Sequence, residues 1–274
     1  MNALADAPPA QAGAPSARIE ELKKTVSASR LNCWQTCRLK FYFRYVLRIK
    51  RPKSAALFIG SMVHLVLQQW NLARWRNIPF KLDSMRGTFD TKWTEGQKEQ
   101  PIDWEGEEPA EKQSSWGLLD MYFKQTPIPA DEKPEAVEVP VEADLHRHGL
   151  PVLVGVMDLV RKGGKVVDFK TTGQTPNPER TSHLNETQLS CYGVLYREAT
   201  AARESGFELH SLVKLKAPKL VVTALDPMTK QQETRLFRIM DSYLNGLDRA
   251  DWIPSPSPMS CACCEYFNEC RRWG

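Results

Sequence analysis

The chain has 274 residues, 42% hydrophobic and 26% charged, with a formal net charge of +4. That is the composition of an ordinary soluble globular protein, long enough for one large domain or two modest ones. No apolar run approaches the length of about 18 residues that a membrane span needs, and the N-terminus lacks the basic start and apolar core of a secretory signal, so a cytoplasmic protein without a membrane is expected. The mild positive charge is compatible with nucleic acid and does not establish it.

Residues 1–18 are rich in Ala, Pro and Gly and read as a disordered tail ahead of a single domain over 19–274. Residues 19–50 read as helix, with Ser27 or Ser29 as a plausible N-cap. Residues 57–76 form a second helix, apolar over most of its surface and so mostly buried. Weaker helical pattern covers 85–125 and is interrupted by the loop PIDWEGEEPAE. EAVEVPVEADL then alternates as a strand, with Pro140 favouring an edge position. LPVLVGVMDLV and KVVDFKTT follow as strands, residues 183–203 as helix, SLVKLKAP and KLVVTAL as strands, and ETRLFRIMDSYLNGLDRA as amphipathic helix. The order suggests an α/β fold around a small mixed sheet.

The hairpin GVMDLVRKGGKVVDFKTT poses the chemical question. Asp158, Asp168 and Lys170 lie in strands otherwise made of core residues, and uncompensated buried charge costs several kcal/mol, of the order set by desolvation. Asp168 and Lys170, two apart, share a face. A two-residue Gly-Gly turn would put Asp158 on the other face. A three-residue loop over Lys162–Gly164 pairs Arg161 with Lys165 and sets Asp158 opposite Asp168. Two facing carboxylates repel unless a cation lies between them. Hard oxygen ligands suit Mg²⁺ or Mn²⁺, and carboxylate, metal and lysine together are the parts for phosphodiester hydrolysis.

Gly155-x-x-Asp158 in one strand and Asp168-x-Lys170 in the next resemble the core of the PD-(D/E)XK nucleases. More narrowly, the chain is similar to the RecB/AddB-type exonuclease branch, which includes the CRISPR-associated adaptation nucleases. Three further marks of that branch occur in order. They are Gly60-x-x-x-His64 upstream, Gln188-x-x-x-Tyr192 downstream, and a cysteine set of Cys37 with Cys261, Cys264 and Cys270. The literal proline and acid of the family name are absent; Val167 precedes Asp168. The resemblance spans residues 27–270. It implies a restriction-endonuclease-like mixed central sheet flanked by helices, with an N-terminal helical part and a Cys-rich C-terminal region. It implies a divalent metal, Mg²⁺ or Mn²⁺, at His64, Asp158, Asp168 and the Phe169 carbonyl, with Lys170 as catalytic lysine. Gln188 and Tyr192 would position the DNA or the lysine, and Glu142 is a further acidic candidate. The activity implied is a DNA exonuclease on single-stranded or free ends, in repair, recombination or CRISPR adaptation. The chain has no phosphate-binding loop of the G-x-x-x-x-G-K-[ST] type. Any helicase motor, like any recombination or adaptation partner, would be a separate protein.

Seven cysteines, four of them in the last 14 residues, argue against a disulfide framework and towards metal. The branch's [4Fe–4S] cluster would join residues 27–50 and 254–274 through Cys37, Cys261, Cys264 and Cys270. Zinc is the rival occupant. Cys33, one turn from Cys37, and Cys263 are the spare thiols. The run KFYFRYVLRIKRPK reads either as a DNA-contact face or as a helix whose aromatics are core. Two competing readings of the whole chain are a non-catalytic DNA-end-binding subunit and a zinc-stabilised interaction protein.

Overall fold

The computed structural model describes residues 14–79, 81–104 and 106–273. Its elements in chain order begin with α1 (Ala14–Lys24), β1 (Thr25–Val26), α2 (Ala28–Thr36), α3 (Arg38–Phe41), a π-helical turn (Tyr42–Val46), β2 (Lys53–Ser54) and α4 (Ala55–Trp75). Then come α5 (Leu82–Glu99), β3 (Ile102–Asp103), α6 (Glu108–Gln125), β4 (Ala136–Ala143), a 3₁₀ turn (His146–His148), β5 (Val152–Arg161) and β6 (Lys165–Thr172). The last are α7 (Pro178–Leu184), α8 (Glu186–Thr200), β7 (Gly206–Val213), β8 (Lys219–Leu225), α9 (Lys230–Asp248), α10 (Pro258–Ala262) and α11 (Phe267–Cys270). No helix among the described residues is long and apolar enough to cross a membrane.

The chain groups into two compact units where the sequence reading expects one domain. One unit holds residues 52–143 and 155–233, the other residues 1–51, 144–154 and 234–274. The expected tail falls mostly on residues 1–13, outside the described residues, and its last part is the start of α1.

The first unit is a mixed sheet flanked by helices. β4 pairs with β5, β5 and β6 are antiparallel, β6 and β7 parallel, and β7 and β8 antiparallel. The parallel step is bridged by α7 and α8, as a parallel connection requires a crossover. Among the described residues β4 pairs only with β5, which agrees with the edge position expected from Pro140. The core packs Phe58, Val63 and Val66 of α4 and Leu118 and Tyr122 of α6 on Leu159, Val167, Phe169 and Leu212. The charged residues of the hairpin are therefore carried on a rigid, apolar floor.

In the second unit β1 runs parallel to the first residues of β5, Thr25 opposite Val152. Trp34 of α2 sits edge-on to Phe41, Tyr243 and Trp252. Ser27, one of the two expected caps, accepts from the Arg30 amide at the start of α2.

Candidate active site and cysteine pocket

The hairpin register has the expected parity. Arg161 pairs with Lys165, Val160 with Val166 and Leu159 with Val167, so continuing the ladder sets Asp158 opposite Asp168. The Asp158 carboxylate occupies the next position itself: its Oδ2 accepts from the Phe169 amide at 2.9 Å. Gly155, three residues earlier, lies close against α8. A Cβ there would lie 2.6 Å from Leu195 Cδ1, so the bare backbone lets that helix settle against the strand.

Asp168 is 1% exposed. Its Oδ1 accepts from Gln188 Nε2 at 2.8 Å and from the Tyr192 hydroxyl at 3.3 Å. The same amide donates to the Tyr192 hydroxyl at 2.9 Å, and its Oε1 accepts from Lys170 Nζ at 2.7 Å. One glutamine thus binds the aspartate, the tyrosine and the lysine at once, as the one-turn spacing of Gln188 and Tyr192 on α8 allows. Asp168 Oδ2 lies 2.9 Å from Lys170 Nζ as an ion pair. It is nonetheless buried without an aligned hydrogen bond among the described residues. Burial pushes the Asp168 carboxyl upward, and the Asp158 charge adds to this against the pull of Lys170.

His64, on α4, brings Nδ1 to 3.3 Å from Asp158 Oδ2. Burial disfavours its charged form, but Asp158 outweighs burial and raises the imidazole above its ordinary value. The third member is one the sequence reading missed. Donor atoms of His64, Glu138 and Asp158 all lie within 4.8 Å of one another. Glu138 lies mid-way along β4 with φ 49°, a left-handed backbone that is costly for a residue with a side chain. Such a kink re-aims a side chain out of strict alternation. Burial and the Asp158 charge push the Glu138 carboxyl up to about 7, against the pull of His64. Glu142, the acid named from sequence, is exposed instead. The structure therefore assembles His64, Asp158 and Glu138 as one trio. Asp168 is bound by Lys170, Gln188 and Tyr192 alongside it.

The trio of two carboxylates and one imidazole fits a hard divalent cation, with the buried Asp168 carboxylate alongside it.

In the other unit, Cys37, Cys261, Cys263, Cys264 and Cys270 line one cavity of about 180 Å³, and all seven cysteines are free thiols. Burial raises the Cys270 thiol, and the nearby Cys37, Cys264 and Cys261 raise it further. Cys33 is buried outside this cavity, its thiol pushed up to about 11 by burial. Cys263 is exposed, with its sulfur on the Met259 carbonyl at 3.7 Å.

Of the two readings of the basic-aromatic run, packing favours the core. Phe41 and Phe43 are buried, and Tyr42 packs on Trp252 and Trp273. Lys40 pairs with Glu265 at 2.7 Å, and Arg51 pairs with Glu269. Those acids lie more than 200 residues away, where local composition cannot show them.

No curated protein matches the chain. Among solved structures, one named "Putative exonuclease" from Eubacterium rectale is similar at 14% identity and a TM-score of 0.60, covering 90% of each chain. Another, SSO0001, aligns at 12% identity and a TM-score of 0.45, over 92% of this chain and 91% of its own. At such identities the first likeness speaks to fold alone, a mixed α/β sheet flanked by helices. The model of one protein family matches residues 25–271, which takes in the hairpin, α4, α8 and the cysteines, and the chain belongs to the PD-(D/E)XK nuclease superfamily.

Proposed function

We propose that this nuclease is a Mg²⁺- or Mn²⁺-dependent DNA exonuclease acting on single-stranded ends, of the RecB/AddB-type branch. The observation that carries the reading is Asp168. It is a carboxylate almost completely removed from water, bound to Gln188, Tyr192 and Lys170, with one oxygen lacking an aligned bond beside the His64–Asp158–Glu138 trio. A core that wanted only stability would not hold four acidic or imidazole groups together against so few cations.

His64, Asp158, Asp168 and the Phe169 carbonyl would hold the metal, with Glu138 as an added acidic group. When bound, the ion supplies Lewis-acid stabilisation of charge on the phosphate. The rest is done by side chains. Gln188 Oε1 fixes the Lys170 ammonium, which donates to the attacking water or to a phosphate oxygen. Tyr192 and Gln188 hold Asp168 in one rotamer, so the carboxylate need not reorganise during the reaction. The Phe169 amide holds the Asp158 carboxylate beside His64.

The cysteine cavity suits a [4Fe–4S] cluster on Cys37, Cys261, Cys264 and Cys270. A tetrahedral zinc site at about 2.3 Å per Zn–S bond would draw its sulfurs to within roughly 4 Å. A cubane gives each cysteine its own iron and spreads the sulfurs further apart. Anaerobically purified protein should be brown and carry iron; a colourless sample with stoichiometric zinc would refute the cluster.

The activity is tested on end-labelled single strands with Mn²⁺, on free and on blocked ends, with Asp168→Asn as control. Shortening from free ends that disappears in the variant is expected. Intact substrate with both Mg²⁺ and Mn²⁺ would overturn the reading in favour of a DNA-end-binding subunit.

A further inference from the structure

The nuclease site does not account for α9. This helix buries Leu236, Met240, Tyr243 and Leu247. A second stripe along it carries Arg235, Arg238 and Ser242, at offsets of 3 and 7 residues on one helical face, and Arg249 follows in the turn just past its end. All three arginines are exposed. Exposed guanidinium groups aligned along one helical face present a row of positive charge to solvent. Arg38 joins them from α3. Its guanidinium lies over Trp34 at 5.0 Å and pairs with Asp251, the acidic side chain lining this surface.

These residues line a cleft. Trp34, Arg38, Arg235, Arg238 and Ile253 border one cavity of about 580 Å³. Arg249, Asp251, Trp252, Ile253 and Trp273 border a second of the same volume. Both touch Ile253, which is 57% exposed, and Trp273 is 45% exposed. The two cavities meet at Ile253. At 1.5 Å per residue the arginines extend over about 21 Å, several nucleotides of one strand at about 3.4 Å each. A lone phosphate would need one such arginine pair and no apolar border. A polyanion with bare, stackable bases uses both.

We infer that the α9 cleft binds the backbone of single-stranded DNA, with Arg235, Arg238 and Arg249 on successive phosphates and Ile253 and Trp273 against unpaired bases. This rests on the nuclease reading for its choice of ligand. The cleft is a binding surface lying entirely within the unit that carries the cysteines, and its arginines are separate in sequence from every residue of the metal trio.

The test measures binding of a fluorescent oligo-dT by the full chain in EDTA, so that cleavage plays no part. Arg235→Glu with Arg238→Glu is compared with Lys92→Glu and Lys124→Glu, an equal change of net charge on α5 and α6. The cleft variant should bind tenfold or more weakly. Its affinity should depend less steeply on salt, the log–log slope falling by about 1.4 for two lost phosphate contacts on a single strand. The control pair should lose far less. Three results would overturn the inference: unchanged affinity in the cleft variant, an equal loss in the control, or a blunt duplex bound through the cleft as tightly as the single strand. Mn²⁺-dependent cleavage by the wild-type chain is read separately. Failure there would sink the nuclease reading and leave the binding result standing, whereas cleavage with a silent cleft variant would sink the cleft alone.

Discussion

Replacing Glu138 by glutamine separates what this carboxylate costs the fold from what it gives a cation. Burial beside Asp158 lifts its carboxyl from 4.5 to about 7. The folded-state value lies above the unfolded one, so the folded form prefers the proton. The penalty is absent below about pH 4.5, grows as pH rises through 7 and is complete above it. At 1.36 kcal/mol per pKa unit it amounts to about 3 kcal/mol at pH 8, or nearer 2 after screening at the half-exposed edge. Glutamine keeps the shape and removes the charge. In EDTA at pH 8 the Glu138→Gln protein should melt roughly 5–10 °C above wild type, at about 2–4 °C per kcal/mol, and the two should converge near pH 4.5. With Mn²⁺ the order should narrow or reverse. Wild type gains stability by mass action, and loss of a residue at the site weakens metal affinity by about ten- to a hundredfold. A titration of melting temperature against Mn²⁺ for both proteins reads all of this. An apo variant no more stable at pH 8, or equal Mn²⁺ stabilisation of the two, would refute the placement of Glu138 with His64 and Asp158.

Lys170→Met should lower cleavage by about 10²–10⁴-fold, the range for a positioned proton-handling group, while Mn²⁺ still raises the melting temperature; retained activity on labelled strands would count against its role. Glu208 is held down to about 2 because its bonds to His210 and Arg161 outweigh burial. Its folded-state value is depressed, so it contributes about 3 kcal/mol above pH 4.5 that is lost as pH falls towards 2. Urea denaturation over that window should be shallower in Glu208→Gln than in wild type, and parallel curves would contradict the assignment. At Gly164 the backbone has φ 73° and an added Cβ would meet the Tyr196 hydroxyl at 2.3 Å. Gly164→Ala should therefore cost more than about 1 kcal/mol, part of it restored by Tyr196→Phe; an unchanged denaturation midpoint would refute this.

Much of the site was legible because its signals are local. The parity of the hairpin fixes which face Asp158 takes, and the one-turn spacing of Gln188 and Tyr192 fixes that both reach the same carboxylate. Glu138 was illegible for the opposite reason. Period-two reading of EAVEVPVEADL places it among the outward polar residues, and only the left-handed kink turns it to His64. The start of β7 was hidden in a similar way. The strand begins at Gly206, ahead of the expected 211, because GFELH looks too polar for a central strand. Its charges are in fact satisfied: Glu208 binds Arg161 at 2.9 Å, and His210 bonds to Glu208 at 3.0 Å and to the Tyr122 hydroxyl at 2.8 Å.

That second network gives the comparison that singles out the first. Both lie on the same sheet and both bury acids. Around Arg161 the charges close on themselves: Glu132 and Glu208 share one guanidinium, and both carboxyls are held below their ordinary values. Around the hairpin they do not close. Glu138 and Asp168 are both pushed above their ordinary values, although Lys170 and His64 are at hand. Burial pushes all four carboxyls upward; around Arg161 the guanidinium and His210 outweigh it, whereas at Glu138 and the deeply buried Asp168 burial and the Asp158 charge prevail. A set with so few cations for its carboxylates, carried on an apolar floor beside a kinked strand, would be stabilised by an ion from outside under the metal-dependent reading proposed above. Divalent cation should accordingly stabilise the wild-type fold far more than an equal ionic strength of sodium chloride, and Asp158→Asn should abolish that excess.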